Sequence, residues 1–327
     1  MQRIEREFAG RKLVIETGRM AKQASGSAVV QFGETMVLAA VTVSDVESPL
    51  PFFPLLVEYR DKAYAAGKIP GGFIKREGRP HDSEILKARI IDRSIRPLFP
   101  DGFKNEVQVF IYVISADQEN DADVIALLAA SHAINSSKIP FTGPIAGVRV
   151  GRVQENWILN PTFQQLPYSD LDIVIAGSAD SIMMVEGGAI EVPEADILEA
   201  ITVGHAGIKE LIGIQEEILA AGRAEKMSWT RATPPEALET KVKSLAEGAI
   251  GTAINQADKH TRVQDVERAK KEIALSLASD FPDNSKDIAT LLEDVEYSTL
   301  RSQVLDTGRR VDGRGPREVR QITIDTQ

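Results

Sequence analysis

Between Ser27 and Val43 the chain reads SAVVQFGETMVLAAVTV, two β-rich runs broken by Gly33-Glu34, which predicts a hairpin. Pro54–Arg60 sets Leu55, Val57 and Tyr59 against Leu56, Glu58 and Arg60, the period of a strand, and Val107–Ser115 is apolar on both faces, as a buried central strand would be. Between these two strands Leu86–Arg96 has helical spacing. Asp121 or Asp123 can cap a further helix running to about Asn135, with Val124, Leu127, Leu128 and Ser131 along one side. This first lobe is α/β and takes in residues 1–140.

From Ile145 the pattern changes to short strands, Gly147–Val153, Trp157–Asn160, Leu171–Gly177 and Ser181–Gly187, which read as an antiparallel meander. Gly187-Gly188 has neither the Lys-Ser/Thr of a phosphate loop nor a Gly-x-Gly-x-x-Gly setting, and reads as a turn. Pro193–Ala221 is a long helical pattern in which Gly204, Gly207 and Gly213 predict breaks. A second lobe therefore covers 141–233. Thr233-Pro234-Pro235 punctuates the chain, and Glu236–Arg301 has almost no β signal, so 234–305 is expected to be an all-α domain, broken at Asp280–Asn284. Residues 306–327 hold a basic loop and then the alternating run Val319–Ile324. A strand starting there has nothing after it to pair with, so the pattern predicts a chain that continues.

Charge alters this picture at one place. The formal net charge is −10, yet Lys75, Arg76, Arg79, Lys87, Arg89, Arg93 and Arg96 gather between Pro70 and Pro100. On a helix Arg89, Arg93 and Arg96 fall in one stripe flanked by Leu86, Ile90, Ala88, Ile91 and Ile95, a half-sunk row that needs anionic partners. Asp92, three residues after Arg89 and four before Arg96, could supply one within the chain. Upstream, Gly71-Gly72 leads into Phe73-Ile74-Lys75-Arg76, an apolar and basic tip that could hold a single-stranded polyanion, or could be an ordinary loop tip. Overall acidity argues against coating duplex nucleic acid, so such a site is local.

A length of 327 residues predicts about two domains. No apolar run approaches a membrane span and Met1–Phe8 is not signal-like, so a cytoplasmic protein is expected. Cysteine is absent, which excludes disulfides and thiolate chemistry, and His81, His132, His205 and His260 are too dispersed for a zinc site. His132 and His205 read as packing or surface residues. Asp117, Glu119, Asp121 and Asp123 do not have calcium-loop spacing and precede a helix, so they are expected to cap it rather than bind metal.

Several collinear motifs carry a resemblance over essentially the whole length: Ala9-Gly10-Arg11, Glu16-Thr17-Gly18, Gly33-Glu34-Thr35, Ala65-Ala66-Gly67, Ile69-Pro70-Gly71, Arg76-Glu77-Gly78-Arg79-Pro80, Ile91 to Leu98 and Arg310-Val311-Asp312-Gly313-Arg314. The chain resembles the bacterial polynucleotide phosphorylase family. The resemblance implies an α+β RNase PH-like unit with a mixed sheet and helices, then an all-α domain and the opening strand of a second unit. It further implies a phosphate-dependent 3′-to-5′ exoribonuclease acting in mRNA degradation, a homotrimeric ring around single-stranded RNA, and contact with RNA-degradosome components. Phe73, Ile74, Lys75 and Arg76 match the loop constricting the channel, where the family carries two Phe and two Arg; Ile74 and Lys75 depart from it. Arg79, Arg89, Arg93 and Arg96 match basic positions along the RNA path, and Arg310 and Arg314 could reach RNA or lie in a solvated loop. Mg²⁺ and inorganic phosphate belong by this resemblance to the second unit, so no catalytic residue and no metal ligand is assigned to this chain. The alternative is an inert, RNA-binding ring subunit.

Overall fold

A computed structural model of the chain describes residues 1–50, 52–231 and 233–326. It divides into two compact units, Met1–Arg231 and Ala232–Gln327. The first is built on a six-stranded sheet of β1 (Gln2–Phe8), β2 (Arg11–Thr17), β3 (Gly26–Phe32), β4 (Thr35–Glu47), β5 (Leu55–Asp61) and β6 (Asn105–Ser115), in the order β1-β2-β3-β4-β6-β5. The β3–β4 hairpin closes as Phe32 opposite Thr35. Gly33 occupies a left-handed position in its turn at φ +60°, where a Cβ would stand 2.6 Å from the Asn120 side chain. Among the described residues only the β5–β6 pair is parallel. A parallel pair requires a crossover, and that crossover contains both the basic loop and α1 (Asp82–Ile95).

β6 departs from the sequence expectation. It does lie inside the sheet, but between Val107 and Ser115 only Val107, Val109, Ile111 and Val113 are buried, while Gln108, Phe110, Tyr112 and Ile114 on its other face are half-buried. The helix α2 (Asp123–Ser136) also differs, being buried on all sides from Asp123 to Asn135 rather than along one. It packs against β3 and β4 and also against β7, so no face is left for water. Composition hid this because alanines at 126, 129, 130 and 133 dilute the apolar signal while allowing close packing on every side.

The second sheet contains β7 (Ala146–Val153), β8 (Asn156–Leu159), β9 (Leu171–Gly177) and β10 (Ile182–Ala189), all antiparallel, in the order β10-β9-β7-β8. It is not a meander. After the β7–β8 hairpin the chain passes a 3-10 turn at Leu166–Tyr168 and β9 joins the opposite edge of β7, a choice that alternation cannot encode. Gly187 and Gly188 do not form a turn either; they lie within β10 opposite Ile173 and Asp172.

The helix α3 (Glu194–Ala220) runs unbroken for 27 residues. Its glycines are points of close approach: a Cβ at Gly204 would stand 2.5 Å from Ile175 Cδ1, and one at Gly207 2.8 Å from Leu159 Cδ1. Contact with the second sheet offsets the helix cost of glycine, which is about 1 kcal/mol each. The second unit holds α4 (Glu236–Ile254), α5 (Lys259–Leu277) and α6 (Ser285–Thr307) around its own core. On α4, Leu238, Val242, Ala246, Ile250 and Ile254 recur every fourth residue and are buried. Between α4 and α5 is a break the sequence did not announce, where Asp258 accepts the Thr261 N–H at 2.9 Å as an N-cap. Val319–Ile324 forms no strand; Val319, Ile322 and Ile324 are exposed, with no neighbour to pair with among the described residues. The architecture is α+β followed by a helical region.

The glycines of α3 give a paired prediction. Gly213 has no atom within 4 Å of its ideal Cβ, so Gly213→Ala should stabilise the protein by about 0.5–1 kcal/mol. Gly204→Ala should destabilise it by about 1–3 kcal/mol through overpacking against Ile175. Thermal melts of both variants check this, and equal shifts of the same sign would contradict it.

Candidate nucleic-acid interface

The loop preceding α1 is pinned at its base and free at its tip. Before it, a 3-10 turn over Ala63–Ala66 ends at Gly67, and Lys68 N–H donates to the Ala63 carbonyl at 3.0 Å. After it, Glu77 accepts from Lys62 Nζ and from the Ala63 N–H, each at 2.9 Å, and Arg60 Nη2 donates to the Gly78 carbonyl at 2.9 Å. The Lys62 hydrogen bond holds the Glu77 carboxyl below its ordinary pKa. Glu84, 3% exposed, accepts the N–H of His81 at 2.6 Å and of Asp61 at 2.8 Å, fastening the first turn of α1 to β5. Between these anchors Ile69, Phe73 and Ile74 stand in solvent, Phe73 fully exposed at 102%. Lys75 turns the tip with a left-handed backbone, φ +53°. Lys75, Arg76 and Arg79 form no ion pair or side-chain hydrogen bond among the described residues.

Arg89 and Arg93 of α1, and Arg96 at its C-cap, are not half-sunk. Arg89 is exposed, and the side chains of Arg93 and Arg96 are 53% and 42% exposed, because the buried side of the helix belongs to Ile91, Ser94 and Ile95. Their partners differ. Arg93 pairs with Glu186 on β10. Arg96 grips Asp92 through Nε at 2.9 Å and Nη2 at 2.6 Å, and donates to the carbonyls of Phe53 and Leu55 at 3.3 and 3.2 Å. Arg89 alone of the three takes no polar partner among the described residues. Arg310 and Arg314, in the second unit, are engaged locally, with the Pro316 carbonyl and with Asp312.

The acidic cluster serves the start of α2 and also holds α1 in place. Ala122 occupies the N-cap position and makes no side-chain bond, but Asp121 accepts the Asp123 N–H at 3.3 Å and Asp123 the Val124 N–H at 2.6 Å, so the expected service to the helix terminus is present. In addition Asp121 accepts from Lys87 Nζ of α1 at 2.8 Å, while Arg149 on β7 bonds Asp123 and, at 2.6 and 2.7 Å, Asp172 on β9. Burial pushes both cluster carboxyls up. Lys87 and Arg149 nonetheless hold Asp121 below its ordinary value, whereas Asp123, fully enclosed beside Asp121, stays above. Burial works against the Lys87 charge as well, and Asp121 more than offsets it. Asp117 acts separately, on the turn before α2. It accepts the N–H groups of Glu34, Glu119 and Asn120 at 3.1, 2.8 and 2.8 Å; burial pushes its carboxyl up, but hydrogen bonds from Asn120 and Glu119 outweigh burial and lower its pKa to about 2.

These commitments bear on a divalent cation. Asp121, Asp123 and Asp172 are already matched by Lys87 and Arg149, and Asp170 by Arg152 with Nε at 3.0 Å from both oxygens. Among the described residues no group of three carboxylates or histidines is placed to hold a metal. The donor set does not fit Mg²⁺. Arg149 and Asp172 were missed in the sequence, although a charged residue between Val148 and Val150 on a buried strand was a usable signal.

Comparison with known proteins supplies the family. Residues 9–140 match the model for the 3′ exoribonuclease family, domain 1, residues 143–207 match domain 2 of that family, and residues 237–315 match the polyribonucleotide nucleotidyltransferase RNA binding domain. A polyribonucleotide nucleotidyltransferase of Gemmatimonas aurantiaca is 74% identical over 326 residues, covering 100% of this chain and 44% of the relative. Relatives of the same name from Geotalea uraniireducens and Bacillus subtilis are 46% and 45% identical, covering 99% and 98% of this chain and 47% and 46% of their own. The chain thus spans a little under half the length of the relatives it matches. With all three domain models in register along it and a relative of this name sharing three residues in four, the chain belongs to the polyribonucleotide nucleotidyltransferase family.

Proposed function

We propose that this chain guides RNA within a 3′-to-5′ phosphorolytic exoribonuclease, a polyribonucleotide nucleotidyltransferase that uses inorganic phosphate to release nucleoside diphosphates during mRNA degradation. The observation carrying this reading is the pinned loop with its uncommitted tip. An exposed ring beside cations that no carboxylate has claimed can stack a base and hold the phosphates on either side of it. Phe73 offers the ring and Lys75, Arg76 and Arg79 the charge, with Arg89 next along α1. Ile74 adds an apolar face without a π surface, and Lys75 binds as a point charge rather than a planar fork. Arg93 and Arg96 would join the path only by exchanging Glu186 and Asp92 for phosphates.

In this proposal three copies surround the strand in the cytoplasm and RNA-degradosome components bind the assembly. No bond-making step is assigned to residues of this chain. Mg²⁺ and the attacking phosphate act elsewhere in this proposal, because Asp121, Asp123, Asp170 and Asp172, the carboxylates gathered here, are already paired with lysine and arginine.

Two outcomes follow. In the assembled protein, Lys75→Ala combined with Arg76→Ala should lower the slope of log affinity for single-stranded RNA against log salt by about 1.4, since each phosphate contact contributes about 0.7, with little change in melting temperature. Arg93→Ala should lower the melting temperature and leave the slope alone. Unchanged RNA affinity in the double variant would remove the loop from the RNA path. The purified 327-residue chain, given RNA, phosphate and Mg²⁺, should release no nucleoside diphosphates in a chromatographic assay; release would place catalytic residues within it.

A further inference from the structure

The 3-10 turn over Ala63–Ala66, at the foot of the basic loop, carries an exposed ring. Ala65 packs against the core, which turns its neighbour Tyr64 outward, 59% exposed. The Tyr64 hydroxyl takes no polar partner, and its ring no aromatic neighbour, among the described residues. The backbone beneath it is firmly held. Ala65 N–H donates to the Lys62 carbonyl and Gly67 N–H to the Tyr64 carbonyl, each at 2.9 Å, while Ala116 N–H, just after β6, donates to the Ala65 carbonyl at 3.1 Å. Tyr64 thus stands in solvent on a fastened turn, unlike Phe73 on the free tip.

Two cations meet at the same place. The backbone of Ala63 is gripped from both ends of the loop: its carbonyl accepts the Lys68 N–H at 3.0 Å, and its N–H donates to the Glu77 carboxylate at 2.9 Å. Those two bonds bring Lys68, where the loop departs, and Arg76, next to Glu77 where it returns, to either side of the residue that precedes Tyr64. Both are exposed. Neither has an ion pair or side-chain hydrogen bond among the described residues, whereas Lys62 is committed to Glu77 and lies over the Tyr112 ring at 4.9 Å. A lone exposed tyrosine is ordinary surface. One flanked by two unclaimed cations has the make-up of a base-stacking site.

We infer that Tyr64 is a second base-stacking platform for single-stranded RNA, fixed at the foot of the loop, with Lys68 and Arg76 holding the phosphates that flank the stacked base. This rests on the RNA reading of the loop and extends it from tip to foot. The two platforms differ in what binding costs. Phe73 is ordered as RNA arrives, whereas Tyr64 already stands on hydrogen-bonded backbone, and a group held in place before binding loses less freedom. Tyr64 therefore contributes affinity whatever the tip does. It accepts any base, because every base has a π face.

The test uses the assembled protein and an oligoadenylate of about twelve nucleotides. Tyr64→Ala should weaken binding by about fivefold or more, the lower end for one base on one ring, and leave the salt slope unchanged. Tyr64→Phe keeps the ring and should bind as the parent does, while Tyr64→Leu keeps bulk without a π face and should lose as much as Tyr64→Ala. Lys68→Ala should lower the slope by about 0.7. Hydrogen exchange at the amides of Ala63 and Gly67 should stay slow in each variant, which shows the turn intact. An oligouridylate of the same length carrying 5-iodouridine should photocrosslink to the peptide that contains Tyr64. Equal affinity of Tyr64→Ala and the parent, or a loss in Tyr64→Phe as large as in Tyr64→Ala, would overturn the inference. If Lys75→Ala with Arg76→Ala lowers the slope while Tyr64→Ala changes nothing, the tip keeps its place on the RNA path and only the foot falls; if none of these variants alters binding, the RNA reading falls as well. A Tyr64→Ala protein that no longer sediments as the parent assembly does would assign the ring to a contact between copies instead.

Discussion

The placement of α1, and with it Arg89, Arg93 and Arg96, depends on the ion-pair network centred on the Arg149 guanidinium. From β7 it bonds Asp172 on β9 and Asp123 at the start of α2, and Lys87 reaches from α1 to the neighbouring Asp121. One network thus joins the crossover helix of the first sheet, the helix between the sheets and two strands of the second. Breaking such a network from one side leaves an uncompensated charge and costs about 3–5 kcal/mol, whereas replacing it whole with apolar residues is often neutral. Its effect is therefore chiefly on geometry. It fixes where α1 sits, and Ile91 and Ile95, both fully buried, supply the adhesion.

Because the helix is fixed, the loop ahead of it can be open without being loose. Glu77, accepting two hydrogen bonds from the segment before the loop, and Glu84, accepting one from each side of it, confine freedom to residues 69–76.

Much of this was legible in the sequence where the signal was local. Gly33-Glu34 between two β-rich runs reads as a hairpin because few residues turn a chain that tightly, and α5 and α6 are parted near Asp280–Asn284 as the composition implies. What was missed involves partners distant in the chain. Gly204 and Gly207 look like helix breakers until Ile175 and Leu159 are seen to need their missing side chains. The acidic cluster does serve the first turn of α2, as its position implies, but its ion pairs with Lys87 and Arg149 come from other elements and could not be read locally. The stripe of Arg89, Arg93 and Arg96 was visible, but Glu186, which claims Arg93, lies 93 residues away. Alternation likewise could not show that β9 pairs with β7 rather than β8, nor that Val319–Ile324 stays unpaired.

A rigid base presenting a tip that RNA orders is the central claim. Hydrogen exchange resolved to single amides, with and without single-stranded RNA on the assembled protein, addresses it directly. The prediction is near-unprotected exchange at residues 69–76 without RNA, strong protection at Asp61, Ala63 and Gly67 in both states, and slowing confined to the tip when RNA binds. Protection of the tip in the absence of RNA, or exchange there that RNA leaves unchanged, would contradict it.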